Sequence, residues 1–582
     1  MQKKWVVRAE ADKELIDKLS EELKFSKILT NLLTQRGVKT YNDARIFFKP
    51  ELKDIHNPYL MRDMKKSVER IEEAVQNGEK ILVFGDYDVD GTSAVALVYT
   101  FLKNVTDNID YYIPDRYGEG YGISMQSIEY AKEHEFSLII TLDCGVKCHK
   151  EIDLAVCYGI DVIVCDHHLP DEILPNAYAI LDPKREDCLY PYKELSGCGV
   201  GFKLVQAIAQ NRNIPINDLG KYFDLLVLSI AADIVPITGE NRIFAHFGMR
   251  LINQRPRSAI ESLFAYNKII RKTDAEMPPK NTVFVREITI SDLVFTIAPR
   301  INAAGRVDTG KSSANLLITN NIDEITSLGE RIDTNNSNRK ELDSKATMEA
   351  IDMISNDLDM ETKKSIVAYN PSWSKGIVGI VASRLVEHFY KPSVVLTLFD
   401  DVITGSARSV KDFDVHVALS QCKDLLERFG GHAFAAGLSL KPENLIAFSE
   451  RFEQAVSSTI KESSTTPSIE IDAEISLNEI NMNFFTVLKK FSPFGPGNLQ
   501  PLFITKNVVC ANDARIVGEN HLKLSVFQRD SRVYPINAIA FGLGDYYKQI
   551  IKCEPFHICY HIDINEWQGR SGLQLNIKDI RF

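Results

Sequence analysis

Between Lys80 and Pro183, short apolar runs alternate with segments of helical period. No other feature of the chain restricts the fold as much. KILVFG (80–85), DYYIP (110–114), FSLIITL (136–142), IDVIVC (160–165) and AYAILDP (177–183) read as strands. TSAVALVYTFLKNV (92–105), SMQSIEYAKEH (124–134) and HKEIDLAVCYG (149–159) read as the helices between them. Short strands separated by helices of about ten residues imply βαβ crossovers and a mostly parallel sheet. In such a sheet the carboxyl ends of the strands share one edge, and ligands bind there.

Three of these strands run into acid. KILVFG is followed by DYDVDG, which holds Asp86, Asp88 and Asp90. SLIITL is followed by Asp143 in LDCG, and DVIVC by Asp166, His167 and His168. A single aspartate after a strand is often only a helix cap. Five carboxylates and two imidazoles at one edge exceed what capping requires, because packed carboxylates either take up protons or need a cation. Oxygen and imidazole donors without thiolates favour Mg²⁺ or Mn²⁺. The carboxylates suffice for two ions. Such a pair, about 4 Å apart, polarises a phosphoryl group and steadies its leaving oxygen.

The remaining chain organises around this block. At 582 residues it exceeds one hydrophobic core. We expect an N-terminal helical segment over 1–60, a catalytic domain over 61–320 and a connecting helix over 321–360. A second α/β domain over 361–460 and an all-β, OB-like domain over 467–582 follow. A polar loop is expected near 270–285 and a linker at KESSTTPS (461–468). No apolar run approaches the roughly 18 residues of a membrane span. The start, MQKKWVVRAEADKEL, has no signal-peptide pattern, so the ten cysteines are expected as reduced thiols of a cytoplasmic protein. The net charge of −11 argues against a surface coated for duplex DNA and leaves room for a local basic groove.

Read in order, GDYDVDG, LDCG, DHH, GCGVGFK (197–203), AADIVP (231–236), PRINAAGR (299–306) and GGHAFAAGLSL (430–440) resemble the DHH phosphoesterases. The resemblance spans about residues 80–440. With FGPGNLQPLF (494–503) opening an all-β tail, it is most similar to the branch of bacterial single-strand-specific 5′→3′ exonucleases. Relatives that cleave dinucleotides carry a histidine where this chain has Leu82, and Asp90 is present here instead.

The resemblance implies metal binding by Asp86, Asp88, Asp90, Asp143, His167 and Asp233, with Asp143 as the bridging carboxylate. It implies catalytic roles for Asp88, Asp143, His167 and His168, the last facing the phosphate or assisting proton transfer. Asp166 would orient a histidine. Substrate binding would fall to Arg300, Asn302, Arg306, Ser372, Lys375, Arg408, Gly430, Gly431 and His432. GCGVGFK offers a helix N-terminus that could cradle a phosphate, or only a tight helix entry. Trp373 could stack on a base or lie in a core. In the tail, Tyr546, Tyr547, Phe556, Tyr560 and Trp567, with Lys548, Lys552 and Arg570, suit single-strand stacking, although about half of such aromatics belong to a barrel core.

The implied function is a two-metal (Mn²⁺ or Mg²⁺) exonuclease. It would degrade single-stranded DNA from the 5′ end to mononucleotides in DNA repair and recombination. The protein would be a monomer, away from membranes, meeting a single-strand-binding protein and a helicase. One alternative is a phosphodiesterase for short oligonucleotides or cyclic dinucleotides. A second is a DNA-binding replication component without activity.

Overall fold

In the computed structural model the described residues are 3–272, 281–307, 310–529, 534–567 and 570–582, excepting the side chains of 306, 307, 566, 567 and 570. The chain forms two compact units. One holds residues 7–333 and 470–582, the other residues 334–469 with the first six.

The alternating block of the first unit folds as a five-stranded parallel sheet. Its strands are β1 (Ile81–Gly85), β2 (Ile109–Tyr112), β3 (Leu138–Leu142), β4 (Asp161–Cys165) and β5 (Ala179–Leu181), in the order β2-β1-β3-β4-β5. Helices α1 (Val89–Leu102), α2 (Met125–Glu133) and α3 (His149–Cys157) connect the first four strands. Two further helices, α4 (Gly197–Asn211) and α5 (Phe223–Ala232), follow the sheet.

Both faces are covered, which is why the strands read as continuous apolar runs. Ile81, Val83, Leu138, Ile140 and Ile163 pack with α1, α4 and α5. Leu82, Phe84, Ile139, Val162 and Val164 pack with α2 and α3. Helix α1 begins three residues earlier than its apolar pattern predicts. Asp88 is its N-cap, with Oδ1 accepting from Gly91 N at 3.0 Å, so Asp90 lies inside the first turn.

The same unit holds a seven-stranded sheet from the C-terminal residues. Its strand Phe503–Cys510 pairs antiparallel with both Phe556–Trp567 and His521–Gln528, which closes a barrel. The N-terminal helices Lys13–Leu23, Lys27–Thr34 and Tyr41–Phe48 lie against this barrel. Leu29, Leu32, Leu33 and Ala44 share its core with Phe484, Phe491 and Phe503. Phe556 and Tyr560 are fully buried there, and Tyr546 and Tyr547 pack against the same core. These four aromatics therefore build the barrel interior and its margin. Trp567 and Arg570 lie outside the described side chains.

Helix Ile322–Ser355 carries the chain into the second unit. That unit has strands β6 (Ile366–Tyr369), β7 (Ser393–Phe399), β8 (Val402–Arg408), β9 (Arg428–His432) and β10 (Ala435–Leu440), in the order β9-β10-β8-β7-β6. Only β6 and β7 run parallel. Trp373 is core here, with Nε1 donating to Glu349 at 2.8 Å, so it is not a free stacking platform.

Candidate metal centre

Strand register builds the site. Gly85 pairs with Leu142, Leu142 with Cys165, and Cys165 with Leu181. The residue after each is an aspartate: Asp86, Asp143, Asp166 and Asp182. Four carboxylates therefore stand in one row at the carboxyl edge. All four are buried. The fourth, Asp182, was open to the same sequence rule, because LDP follows its strand as LDCG follows β3.

Each member of the row is held differently. Asp143 occupies the left-handed region (φ 61°), unusual for a residue with a Cβ and a form of local strain common at functional sites. Asp166 is the anchor of the DHH motif. Its Oδ1 accepts from His167 N (2.7 Å), His168 N (3.1 Å) and His168 Nδ1 (2.7 Å), and its Oδ2 from Val146 N (3.0 Å). Burial works against its charge, but the His168 hydrogen bond and charge bring the carboxyl down to about 2. Burial likewise opposes protonation of His168, yet the Asp166 bond raises its proton affinity above the ordinary value. Asp86 Oδ1 accepts a long bond from Gly122 N (3.4 Å).

His167 sits at the centre. Its Nε2 lies 3.2 Å from Asp143 Oδ1, 3.6 Å from Asp233 Oδ2 and 3.9 Å from Asp90 Oδ2. Burial lowers its proton affinity, so the imidazole is neutral. Asp233 arrives from the C-terminal end of α5. Ligand atoms of Asp143, His167 and His168, and separately those of Asp90, His167 and Asp233, lie within 4.8 Å of one another. Asp86 and Asp88 fall outside these two groups but share their electrostatics. Desolvation first, then neighbouring carboxylates, raises the proton affinity of Asp86, Asp88 and Asp143. The same causes push Asp233 up to about 8.

Asp90, expected as a metal ligand, stands with His167 and Asp233 in one candidate group and also accepts hydrogen bonds from the protein itself. Its Oδ2 accepts from Gly197 N (2.8 Å), and its Oδ1 from Cys198 N (2.7 Å) and Ser229 Oγ (2.7 Å). The carboxylate caps α4, where an anion also favours the helix dipole. Of the two readings of GCGVGFK, this favours the tight helix entry, since its first N–H groups already hold Asp90. Gly197 is required for the approach: a Cβ there would lie 2.5 Å from Asp143 Cβ. Gly91 likewise admits the Asp86 backbone, with its own Cβ position 2.4 Å from Asp86 O.

Three buried residues of the centre carry atoms that lack partners among the described residues: Asp86 Oδ2, Asp182 Oδ2 and both ring nitrogens of His167 make no hydrogen bond. Buried acceptors without partners, an imidazole of lowered proton affinity and crowded carboxylates of raised proton affinity suit divalent cations, so the donor set fits Mn²⁺ or Mg²⁺. One feature gave no sequence signal: Tyr121, whose hydroxyl donates to Asp143 O (2.9 Å) and lies 3.3 Å from His168 Nε2.

The NAAG segment contributes support rather than grip. Arg300 was expected to bind substrate; it is buried, and its guanidinium donates to Asp333 (2.8 Å), Thr296 O (2.8 Å) and Asn267 (3.1 Å). The residue is 3% exposed, which leaves little of the guanidinium at the surface to meet a phosphate. Asn302 Oδ1 accepts from Val89 N at 3.1 Å, bracing the first turn of α1. The side chain of Arg306 lies outside the described residues.

In the second unit, Ala435 pairs with both Arg408 and His432, so these two residues lie on one row across three strands. Arg408 Nη1 donates to Ser406 Oγ (2.5 Å) and Ala407 O (2.8 Å) and meets no carboxylate among the described residues. Burial alone lowers its proton affinity. Gly430 faces open space, and Gly431 pairs with Ala436 at φ 146°. Ser372 is held to Asn370 (2.7 Å), and the Lys375 ammonium lies 4.5 Å from the centre of the Phe399 ring.

Known proteins with related sequences carry the same layout. Residues 80–230 match the family model "DHH family, N-terminal domain", residues 362–458 "DHHA1 domain" and residues 471–579 "RecJ OB domain". The single-stranded-DNA-specific exonuclease RecJ of Bacillus subtilis (strain 168) is 34% identical over 573 residues, covering 98% of this chain and 70% of that one. The chain belongs to the RecJ family. Among solved structures, the RecJ of Thermus thermophilus in complex with Mn²⁺ has the same fold. The TM-score is 0.82 at 24% identity, covering 100% of this chain and 79% of that one. An exonuclease RecJ bound to manganese matches with a TM-score of 0.58 at 28% identity, over 69% of this chain and 96% of that one. The row of acids thus lies in the DHH domain of a RecJ family member, and the Arg408–His432 row in its DHHA1 domain.

Proposed function

We propose that this protein is a divalent-metal-dependent exonuclease that removes mononucleotides from the 5′ end of single-stranded DNA, in repair and recombination. The observation that carries the reading is the register-aligned row of aspartates around His167, in a chain of the RecJ family. Asp86, Asp88, Asp143, His167 and Asp233 would hold the cations, with Asp90 bracing them from behind. The manganese-bound relative supports this assignment. When bound, such cations supply Lewis acidity at the scissile phosphate and charge for the leaving oxygen.

The chain's own groups do the rest. His167, kept neutral by burial, offers Nε2 as a donor. Asp166 fixes a proton at His168 Nδ1, and the raised affinity of the ring keeps a second proton at Nε2 for the departing O3′. Tyr121 accepts from that nitrogen and steadies it. Arg408, His432, Ser372, Lys375, Gly430 and Gly431 would bind substrate, and the barrel would bind single-stranded DNA. We place the enzyme in the cytoplasm as a monomer, in reach of a single-strand-binding protein and a helicase. No helix among the described residues is long and apolar enough to cross a membrane.

The test is digestion of 5′- and 3′-end-labelled single strands, with duplex controls, in EDTA, Mg²⁺ and Mn²⁺. The expected result is early release of the 5′ label as mononucleotide, with metal only and from single strands only. Release of the 3′ label first, or cleavage in EDTA, would overturn the reading.

A further inference from the structure

Lys184 follows the fourth carboxylate of the row by two positions, and the centre described above leaves it without a role. Leu181 pairs with Cys165 and its carbonyl accepts from Asp166 N at 3.0 Å. The turn after β5 therefore opens at the same edge as His167 and His168. That turn is fixed from both sides. Asp182 Oδ1 accepts from Lys184 N at 2.7 Å. Arg185 then locks into the body of the domain, donating to Asp63 Oδ2 (2.8 Å), Ile180 O (2.7 Å) and both oxygens of Asp187 (2.9 and 2.8 Å).

The backbone of Lys184 is thus held in place, and its side chain is half-buried. Its ammonium nevertheless makes no hydrogen bond and no ion pair among the described residues. Its place in the turn, bonded through its N–H to Asp182 in the row of acids, sets it near the cluster, and its charge acts on His167, Asp182 and Asp233. A cation on a pinned turn, next to acids that it does not bond, has its three N–H donors free for an anion that arrives from outside. In a site whose own acids point at cations, the anion of that kind is a phosphate.

We infer that Lys184 binds a non-bridging phosphate oxygen of the single strand at the metal centre. The inference rests on the exonuclease reading, and it adds a substrate contact that the ordered motifs did not mark. It predicts a direct electrostatic contribution to strand binding, distinct from any effect on the metals.

The experiment compares wild type with Lys184→Met and Lys184→Arg. Binding of a short 5′-phosphorylated strand is followed by fluorescence anisotropy in Ca²⁺, over about 50 to 200 mM salt. Mn²⁺ affinity is measured calorimetrically without DNA, and kcat and KM with Mn²⁺. Lys184→Met should weaken strand binding about tenfold and raise KM in step. It should also cut the slope of log K against log salt by about 0.7, the share of one single-strand phosphate. Mn²⁺ affinity should not fall, because loss of a nearby positive charge eases cation binding, and Lys184→Arg should bind within about twofold of wild type. Unchanged strand affinity and salt slope in Lys184→Met would overturn the inference. So would altered Mn²⁺ affinity with strand binding intact, which would make Lys184 a counter-ion of the acids. The anisotropy arm needs no turnover, so a wild type that fails to cleave refutes the exonuclease reading and still decides the contact.

Discussion

Asp90→Asn separates a metal ligand from a brace. The native carboxylate accepts hydrogen bonds from Gly197 N, Cys198 N and Ser229 Oγ. An amide has one oxygen, so the Cys198 and Ser229 bonds can persist while Gly197 N–H faces an NH₂ group. Leaving that buried donor unpaired costs about 1–3 kcal/mol. The two surviving bonds lose the charge of their acceptor, about 1 kcal/mol each. The lost anion at the start of α4 adds about 0.3–1 kcal/mol. Against this, removing a charge relieves repulsion among the acids. That relief is about 1 kcal/mol, because burial and crowding already raise the proton affinity of Asp88, Asp143 and Asp233, the acids that feel the Asp90 charge. The net expectation is a loss of about 2–5 kcal/mol of metal-free stability. Mn²⁺ affinity should fall about 10- to 100-fold, as for a group that orients ligands. Urea unfolding in EDTA, followed by circular dichroism, reads the first quantity, and calorimetric titration the second. If metal-free stability is unchanged or higher while Mn²⁺ binding vanishes, Asp90 is a direct ligand and the reasoning fails.

Other expectations follow from the same geometry. The metal-free fold favours the protonated form of Asp233, whose carboxyl sits at about 8 against an ordinary value near 4. Its contribution to stability therefore falls as pH rises between those values, and Mn²⁺ affinity rises until about pH 8, with proton release. Titrations in buffers of different ionisation enthalpy measure that release, and a pH-independent affinity would refute it. Gly197→Ala places a methyl against Asp143 and should cut kcat at least about tenfold while leaving strand binding in Ca²⁺ near wild type. Lys203→Met strands Glu240, which is buried and bonded to Lys203 at 3.0 Å, and should cost about 3–5 kcal/mol. The double variant with Glu240→Gln should recover part of that loss in thermal melts.

The parallel sheet was legible because burial on both faces leaves each strand apolar throughout, with the acids standing out at its end. Asp86, Asp143 and Asp166 could be placed at one edge from that pattern alone. The pattern also contained Asp182, and a uniform application of the rule would have found it. The Arg300 assignment failed for a different reason. An arginine in a glycine-containing motif looks the same whether it meets substrate or, as here, Asp333, Thr296 and Asn267. Only the packing of neighbouring segments decides where a guanidinium donates.

What the sequence determined by itself is the local chemistry: which residues carry oxygen and imidazole donors, and which short periods put them at strand ends. Tertiary structure alone decided how those donors divide their work. Hydrogen bonds across more than a hundred residues turned Asp90 into the cap of α4. The same long-range packing gave Asp143 its left-handed backbone and, among the described residues, left the Lys184 ammonium without a bonded partner. Periodicity reports which face of an element is buried. It carries no record of which distant N–H group arrives there, and at this centre that arrival separates a group that braces the site from one that binds within it.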